Sequence, residues 1–199
     1  MIKICKKFND SGDLADSRDL VVMTLSFSGF LRFDELVNLR TKNVSFFDDH
    51  LELCIEKSKT DQYRDGDKVL IAKGETIACP IFRLKEYLKL AKIDLSKDQF
   101  LFRAIYSSKE GKKLVGGEKK ISYTRVRECI RAKVNQIDGV PKNFGLHSFR
   151  SGGATAAAQA DVSHLAIKRH GRWRSDGSKE RYIKVDLEKR LKVTKALGL

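Results

Sequence analysis

Residues 145–160, GLHSFRSGGATAAAQA, set His147 and Arg150 three positions apart at the start of a helix, so that both side chains project from one face. Helix starts attract anions, because their first N–H groups have no intrahelical partner and the macrodipole is positive there. A histidine and an arginine projecting together from such a start are suited to gripping a phosphate. Taken alone, H-x-x-R is a weak pattern whose usual explanation is a capping histidine beside a solvated arginine, so the sequence around it has to discriminate.

The chain has 199 residues, with 40 Lys+Arg against 26 Asp+Glu and a net charge of +14. The excess is uneven: residues 141–199 hold 13 Lys+Arg and 5 Asp+Glu, which is +8 of that total. A dense basic region on a folded domain favours a polyanion, nucleic acid first. A basic surface that serves only solubility is the alternative. Hydrophobic residues make up 41% of the chain and there are two prolines, enough to bury a core and to exclude a disordered basic tail or a collagenous chain.

No apolar run approaches the roughly 18 residues of a membrane span, and the N-terminal MIKICKKFNDSGD has no apolar signal-peptide region. A soluble, intracellular protein is expected. Cys5, Cys54, Cys79 and Cys129 are scattered without a C-x-x-C pair, so neither a zinc knuckle nor a redox dithiol is written here. Four reduced, mostly buried thiols are the expectation.

Periodicity predicts a helix from about Ser17 to Ser28, capped by Asp16 or Ser17 and ended by Gly29, then a short one from about Phe33 to Leu39 with Arg32 at its start. Val44–Phe47 and Leu51–Glu56 flank Asp48-Asp49-His50 and read as a β-hairpin, and Val69–Ala72 supplies a third strand. Pro80 opens a helix to about Lys92 with Leu84, Tyr87, Leu88 and Ala91 in one stripe. Ser107 to Lys120 reads as a polar loop, a mobile insertion in preference to a flexible phosphate-contacting loop, and Ser122 to Gln136 as a helix with Arg125 exposed. Short helices follow from Leu146, then a polar helix from about Asp186. The expected class is α+β, mainly α, with a small three-stranded antiparallel sheet, and neither an internal repeat nor a linker divides it.

Around the H-x-x-R block stand three more. SGFLRFDELVNLR carries Arg32 and Glu35 at i and i+3; EKSKTD follows the second strand with Lys59; and HGRWRSDGSKERYI places Trp173 nine residues before Tyr182. In this order the blocks resemble the catalytic domain of the tyrosine recombinases, the phage-integrase family. That pattern is an R-x-x-E box, a lysine of the β-region, an H-x-x-R box, a Trp or His, and a Tyr nine residues on. HSFRSGGATAAA and KRHGRW further resemble recombinases of eukaryotic mobile elements of the DIRS type. The resemblance runs from about Ser17 to Tyr182, giving an N-terminal segment or linker remnant at 1–16, a catalytic domain at 17–185 and a helical tail at 186–199. That tail docks on a neighbouring protomer or packs on its own domain. Family members usually carry an N-terminal core-binding domain as well, so an isolated catalytic domain is expected.

The resemblance implies cleavage and rejoining of DNA through a covalent 3′-phosphotyrosine. Guanidinium forks match the nonbridging phosphate oxygens, so Arg32 and Arg150 would clamp the scissile phosphate. His147 would add a hydrogen bond, and Trp173 would pack behind the nucleophile's helix or reach the phosphate through its indole N–H. Tyr182 would attack; phenols titrate near about 10, so the surrounding cations must ease formation of the phenolate. Lys59 would protonate the leaving 5′-oxygen, with Lys57 as the competing assignment. Glu35 would orient Arg32 or a neighbouring group, and Arg125 resembles a DNA-reading arginine of the family.

No metal or cofactor is implied, since the arginines supply the positive charge. The implied partners are double-stranded DNA and further copies of the chain, as a tetramer on paired sites, in the nucleus of a eukaryote or otherwise the cytoplasm. Two other functions compete: a type IB topoisomerase-like nicking and rejoining activity, and a non-catalytic DNA-binding module derived from a recombinase. His50 and His164 read as surface residues. His170, twelve residues before Tyr182, reads as a helix-C-terminal histidine whose imidazolium is favoured there.

Overall fold

Asp13 starts the helix around which the others pack. Its carboxylate accepts the N–H groups of Ala15 at 2.8 Å and Asp16 at 3.1 Å, so α2 runs over Leu14–Ser28, one turn earlier than the hydrophobic period suggests. In the computed structural model, which describes residues 1–56, 66–109, 111–137, 144–184, 191 and 194–196, this helix is buried without a break from Arg18 to Ser26. Burial on every side explains why its apolar stripe is weak in the sequence. Its charges are neutralised internally: Arg18 pairs with Asp19 at 2.8 Å, and Lys133 reaches Asp16 and Asp19 at 2.8 Å each.

Helix α1 (Ile2–Phe8) lies within residues 1–16 and buries Ile4 and Cys5 in the main core. After α3 (Phe33–Val37) comes an antiparallel sheet of order β1-β2-β3, from Val44–Phe46, His50–Ile55 and Asp67–Ala72. Leu53 faces Val44 and Val69, and Leu51 faces Ile71, so the alternating residues Leu51, Leu53, Ile55, Val69 and Ile71 all enter the core. Helix α4 (Pro80–Leu90) begins at its proline and packs on α2.

The stretch 107–120, expected to be a loop, instead contributes most of a second hairpin, β4 (Ile105–Ser108) with β5 (Gly111–Leu114). Gly111 takes φ +108 at its tip, a conformation side chains resist. Lys112 binds the Asp13 cap, and Ile105 and Leu114 pack on the core. These long-range anchors leave no local signature in a Lys- and Gly-rich sequence.

Helix α5 (Tyr123–Val134) is capped by Ser122 and is followed by α6 (Leu146–Gln159), α7 (His164–His170) and α8 (Asp176–Glu180). All four cysteines are free, Cys5 and Cys79 buried, Cys54 and Cys129 half-buried. Among the described residues no helix is long and apolar enough to cross a membrane. Lys57 and Lys59 lie outside the described residues, as does most of the tail 186–199; its residues 191 and 194–196 are exposed.

A second, smaller core gathers Phe30, Ala154, Ile167 and Trp173, with Tyr182 and Ile183 packed against it. It exists because α6 comes very close to the end of α2. A Cβ on Gly153 would collide with the Phe27 carbonyl oxygen and come within 2.7 Å of the Phe30 ring, whereas one on Gly152 would meet the Phe27 ring at an ordinary 3.4 Å. Gly153→Ala is therefore expected to lower stability by about 1–3 kcal/mol through overpacking. Gly152→Ala should be neutral or stabilising by up to about 1 kcal/mol. Urea unfolding of the two variants checks this, and equal effects would contradict the close approach.

Candidate active site

The R-x-x-E spacing has a local physical meaning. Arg32 is the N-cap of α3 and Glu35 its third residue, so the Glu35 carboxylate folds back to accept the Arg32 backbone N–H and guanidinium, both at 2.8 Å. Glu35 is buried and also takes Arg172 at 2.8 Å, with Arg150 at 3.9 Å. Burial alone would push the Glu35 carboxyl up, but Arg172, the Arg32 N–H and the Arg32 charge together hold it below the usual carboxylate range.

From α6, Arg150 enters the smaller core and is fully buried, donating to the backbone carbonyls of Phe30 and Gly171. Its guanidinium lies 4.5 Å from the Trp173 ring centroid and 5.3 Å from that of Tyr182. Burial first, and then the neighbouring Arg32 charge, push Arg150 down to about 10, which leaves it protonated at neutral pH. One turn earlier, His147 is exposed, its ring 6.4 Å from Tyr182.

Tyr182 lies in the turn after α8 rather than on a helix, and it is tied to α6 through its main chain. Its carbonyl accepts the Ser151 hydroxyl at 2.7 Å and the Thr155 hydroxyl at 3.2 Å. The ring sits 5.3 Å from that of Trp173. A groove of about 600 Å³ opens beside it, lined among others by His147, Ser151, Arg181, Tyr182 and Lys184. Trp173 is buried, and among the described residues its indole Nε1 and the Nε of Arg150 have no hydrogen-bond partner. Such buried donors are costly unless something accepts from them.

The structure thus brings Arg32, Glu35, His147, Arg150, Trp173 and Tyr182 into one chain of contacts. Arg125 stands apart, exposed on the first turn of α5. Among the described residues no group of three or more His, Cys, Asp or Glu is arranged to hold a metal.

Two members of the cluster are not assigned to the site by sequence. Arg172, immediately before Trp173, is buried with φ +55, and a cationic run such as KRHGRWR does not mark which arginine turns inward. His170 corrects its own expectation: Nε2 lies 2.7 Å from the Ser28 carbonyl, so that nitrogen carries the proton and donates. Burial lowers its pKa, outweighing the Ser28 bond that favours the charged ring, and Arg172 and Arg150 lower it further.

Both shifts make acid destabilising. A histidine depressed in the folded state gives stability that is complete above its unfolded pKa of about 6.5 and declines as pH falls below it. A depressed carboxyl loses its contribution as pH falls from its unfolded value, about 4.3, through the folded one. The thermal midpoint is thus expected to fall in two stages on acidification, and His170→Gln, which keeps a donor for Ser28, should remove the upper one. A profile flat between pH 7 and 5 would contradict the placement of His170.

A mainly helical domain with this three-stranded sheet, in which the Arg32–Glu35 turn, Arg150, Trp173 and Tyr182 are joined by contacts and His147 and Tyr182 line one groove, has the fold of a tyrosine-recombinase catalytic domain. It is 28% identical over 176 residues to an integrase/recombinase XerD homolog of Selenomonas ruminantium, covering 87% of this chain and 49% of that protein. The chain therefore spans about half the length of this curated relative. Among solved structures it resembles XerA recombinase, with TM-score 0.65 and 16% identity over 98% of this chain and 63% of that one. It also resembles XerH site-specific recombinase bound to difH substrate, with TM-score 0.63 and 15% identity over 96% and 52%. The Tn1549 transposon integrase in complex with transposon right-end DNA gives TM-score 0.55 and 16% identity over 91% and 58%. No family model matches the chain.

Proposed function

We propose that the chain is the catalytic domain of a site-specific DNA recombinase that breaks and rejoins strands through Tyr182. The observation that carries this reading is the clustering of Tyr182 with His147, Arg150 and Trp173, His147 and Tyr182 lining one groove and Arg150 and Trp173 buried behind Tyr182, with Arg32 linked to them through Glu35. The similar proteins are recombinases and integrases, XerH and the Tn1549 integrase among them bound to DNA, which agrees with the +14 charge of this chain.

The Tyr182 phenol gives up its proton to solvent in the open groove as its oxygen attacks the phosphorus; the bond to the 5′-oxygen breaks, leaving a 3′-phosphotyrosine, and that oxygen takes a proton from Lys59 or, in its place, Lys57. The developing negative charge is met by Arg32, Arg150 and His147, and the Arg150 Nε and Trp173 Nε1, without a partner among the described residues, gain an acceptor. Rejoining reverses the step, so the phosphodiester energy is retained without a nucleotide cofactor. Assembly as a tetramer on paired sites, in whichever compartment holds the DNA, belongs to the same proposal.

The test is incubation with a nicked suicide duplex, denaturing electrophoresis and mapping of the modified residue. An adduct on Tyr182 is expected, and its absence from every duplex tried would leave a non-catalytic DNA-binding module. Strand transfer between two separate duplexes separates a recombinase from a topoisomerase-like enzyme.

A further inference from the structure

We propose that Arg172 is a positioning residue of this site, holding the Trp173–Tyr182 segment at a set distance from the Arg32–Glu35 turn; the proposal rests on the recombinase reading above. Its side chain is 4% exposed, and its guanidinium spans the gap between the two segments. One nitrogen donates to Gly29 O at 3.2 Å and His170 O at 2.7 Å, and the other to Phe30 O at 3.1 Å and Glu35 Oε2 at 2.8 Å. His170 donates to Ser28 O, and Arg150 also donates to Phe30 O. Three consecutive carbonyls of the α2–α3 turn are thus held by three side chains from α6 and the end of α7.

The backbone on both sides of this joint is in a conformation that side chains rarely adopt, φ +46 at Phe30 and +55 at Arg172. Such strain persists where the surroundings over-determine it, and it collects at functional sites. The Arg172 guanidinium turns inward and acts on the reacting groups through others. Its ion pair fixes the carboxylate that grips Arg32 through the other oxygen, and its backbone leads directly into Trp173. If the joint loosens, Arg32 and Tyr182 lose their mutual register, and a misplacement near 1 Å costs about 100-fold in rate.

Trp173 is the only tryptophan, so its fluorescence reports this joint alone. The test uses the full chain with Arg172→Gly, which suits the positive φ and so removes the guanidinium without backbone strain, and with Arg172→Lys, which keeps a charge near Glu35 but not the fork. Single-turnover adduct formation at saturating duplex, the half-saturating duplex concentration and Trp173 emission are measured where circular dichroism shows native helix content. The glycine variant is expected to cleave about 100-fold more slowly, with half-saturation within about threefold of wild type and red-shifted emission. The lysine variant is expected to be slower by about tenfold.

A glycine variant cleaving within about threefold of wild type, or with unshifted emission, overturns the proposal. So does a lysine variant at the wild-type rate, which also decides the matter if the glycine variant fails to fold. Wild-type protein that forms no adduct sinks the recombinase reading itself, and this proposal with it.

Discussion

Tyr182→Phe is expected to abolish covalent attachment to DNA while leaving the folded domain and its DNA affinity in place. The substitution removes one oxygen. The ring contacts with Trp173 at 5.3 Å and with the Arg150 guanidinium at 5.3 Å are available to phenylalanine, and the bonds that dock this turn on α6 use the Tyr182 carbonyl. Stability should therefore change by no more than about 0.5 kcal/mol. Adduct formation should fall by roughly 10⁴-fold or more, because no other group in the cluster replaces the nucleophile. Denaturing electrophoresis of the suicide-substrate reaction reads the result. A denaturant-resistant adduct with the phenylalanine variant would assign the nucleophile elsewhere.

Arg150→Ala should damage both chemistry and fold. Arg150 is fully buried and ties α6 to Phe30 and Gly171, so its removal empties space under Trp173 and strips Gly171 O of this donor. Breaking a buried, hydrogen-bonded charge network costs about 3–5 kcal/mol. In the proposed recombinase reaction, loss of this donor to the phosphate adds about 2.7–4 kcal/mol to the barrier. Arg150→Lys should recover part of the stability, since it restores a positive charge near Glu35, but little of the rate, since an ammonium lacks the two-ended fork. Calorimetry and single-turnover cleavage well below the melting range separate the two effects. A variant with an unchanged melting temperature would show that Arg150 does not join these segments.

The candidate site was more legible than the elements that carry it. Arg32 and Glu35 form a capping box, and His147 and Arg150 share one helix face, so both pairs follow from local geometry that i, i+3 spacing records. The sheet was legible because Leu51, Leu53 and Ile55 alternate. The β4–β5 hairpin was not, because its anchors lie across the fold, with Lys112 on Asp13 nearly a hundred residues away. The start of α2 was misread for a related reason: its apolar pattern is diluted by Asp16, Arg18 and Asp19, whose charges are neutralised by partners including Lys133 on α5.

What the sequence by itself determined is the inventory and its order: a basic domain of the α+β class, four blocks in the recombinase pattern, and a tyrosine nine residues after a tryptophan. Only the tertiary structure decided which cations are buried and what they hold. Arg150 turned out to be fully enclosed, Arg172 became the link between two segments, and His170 became a neutral donor to Ser28 where a charged helix terminus had been expected. The physical reason is that spacing and periodicity encode neighbours three or four residues apart, whereas the desolvation and pairing of a charge depend on groups more than a hundred residues away, such as Glu35 opposite Arg172.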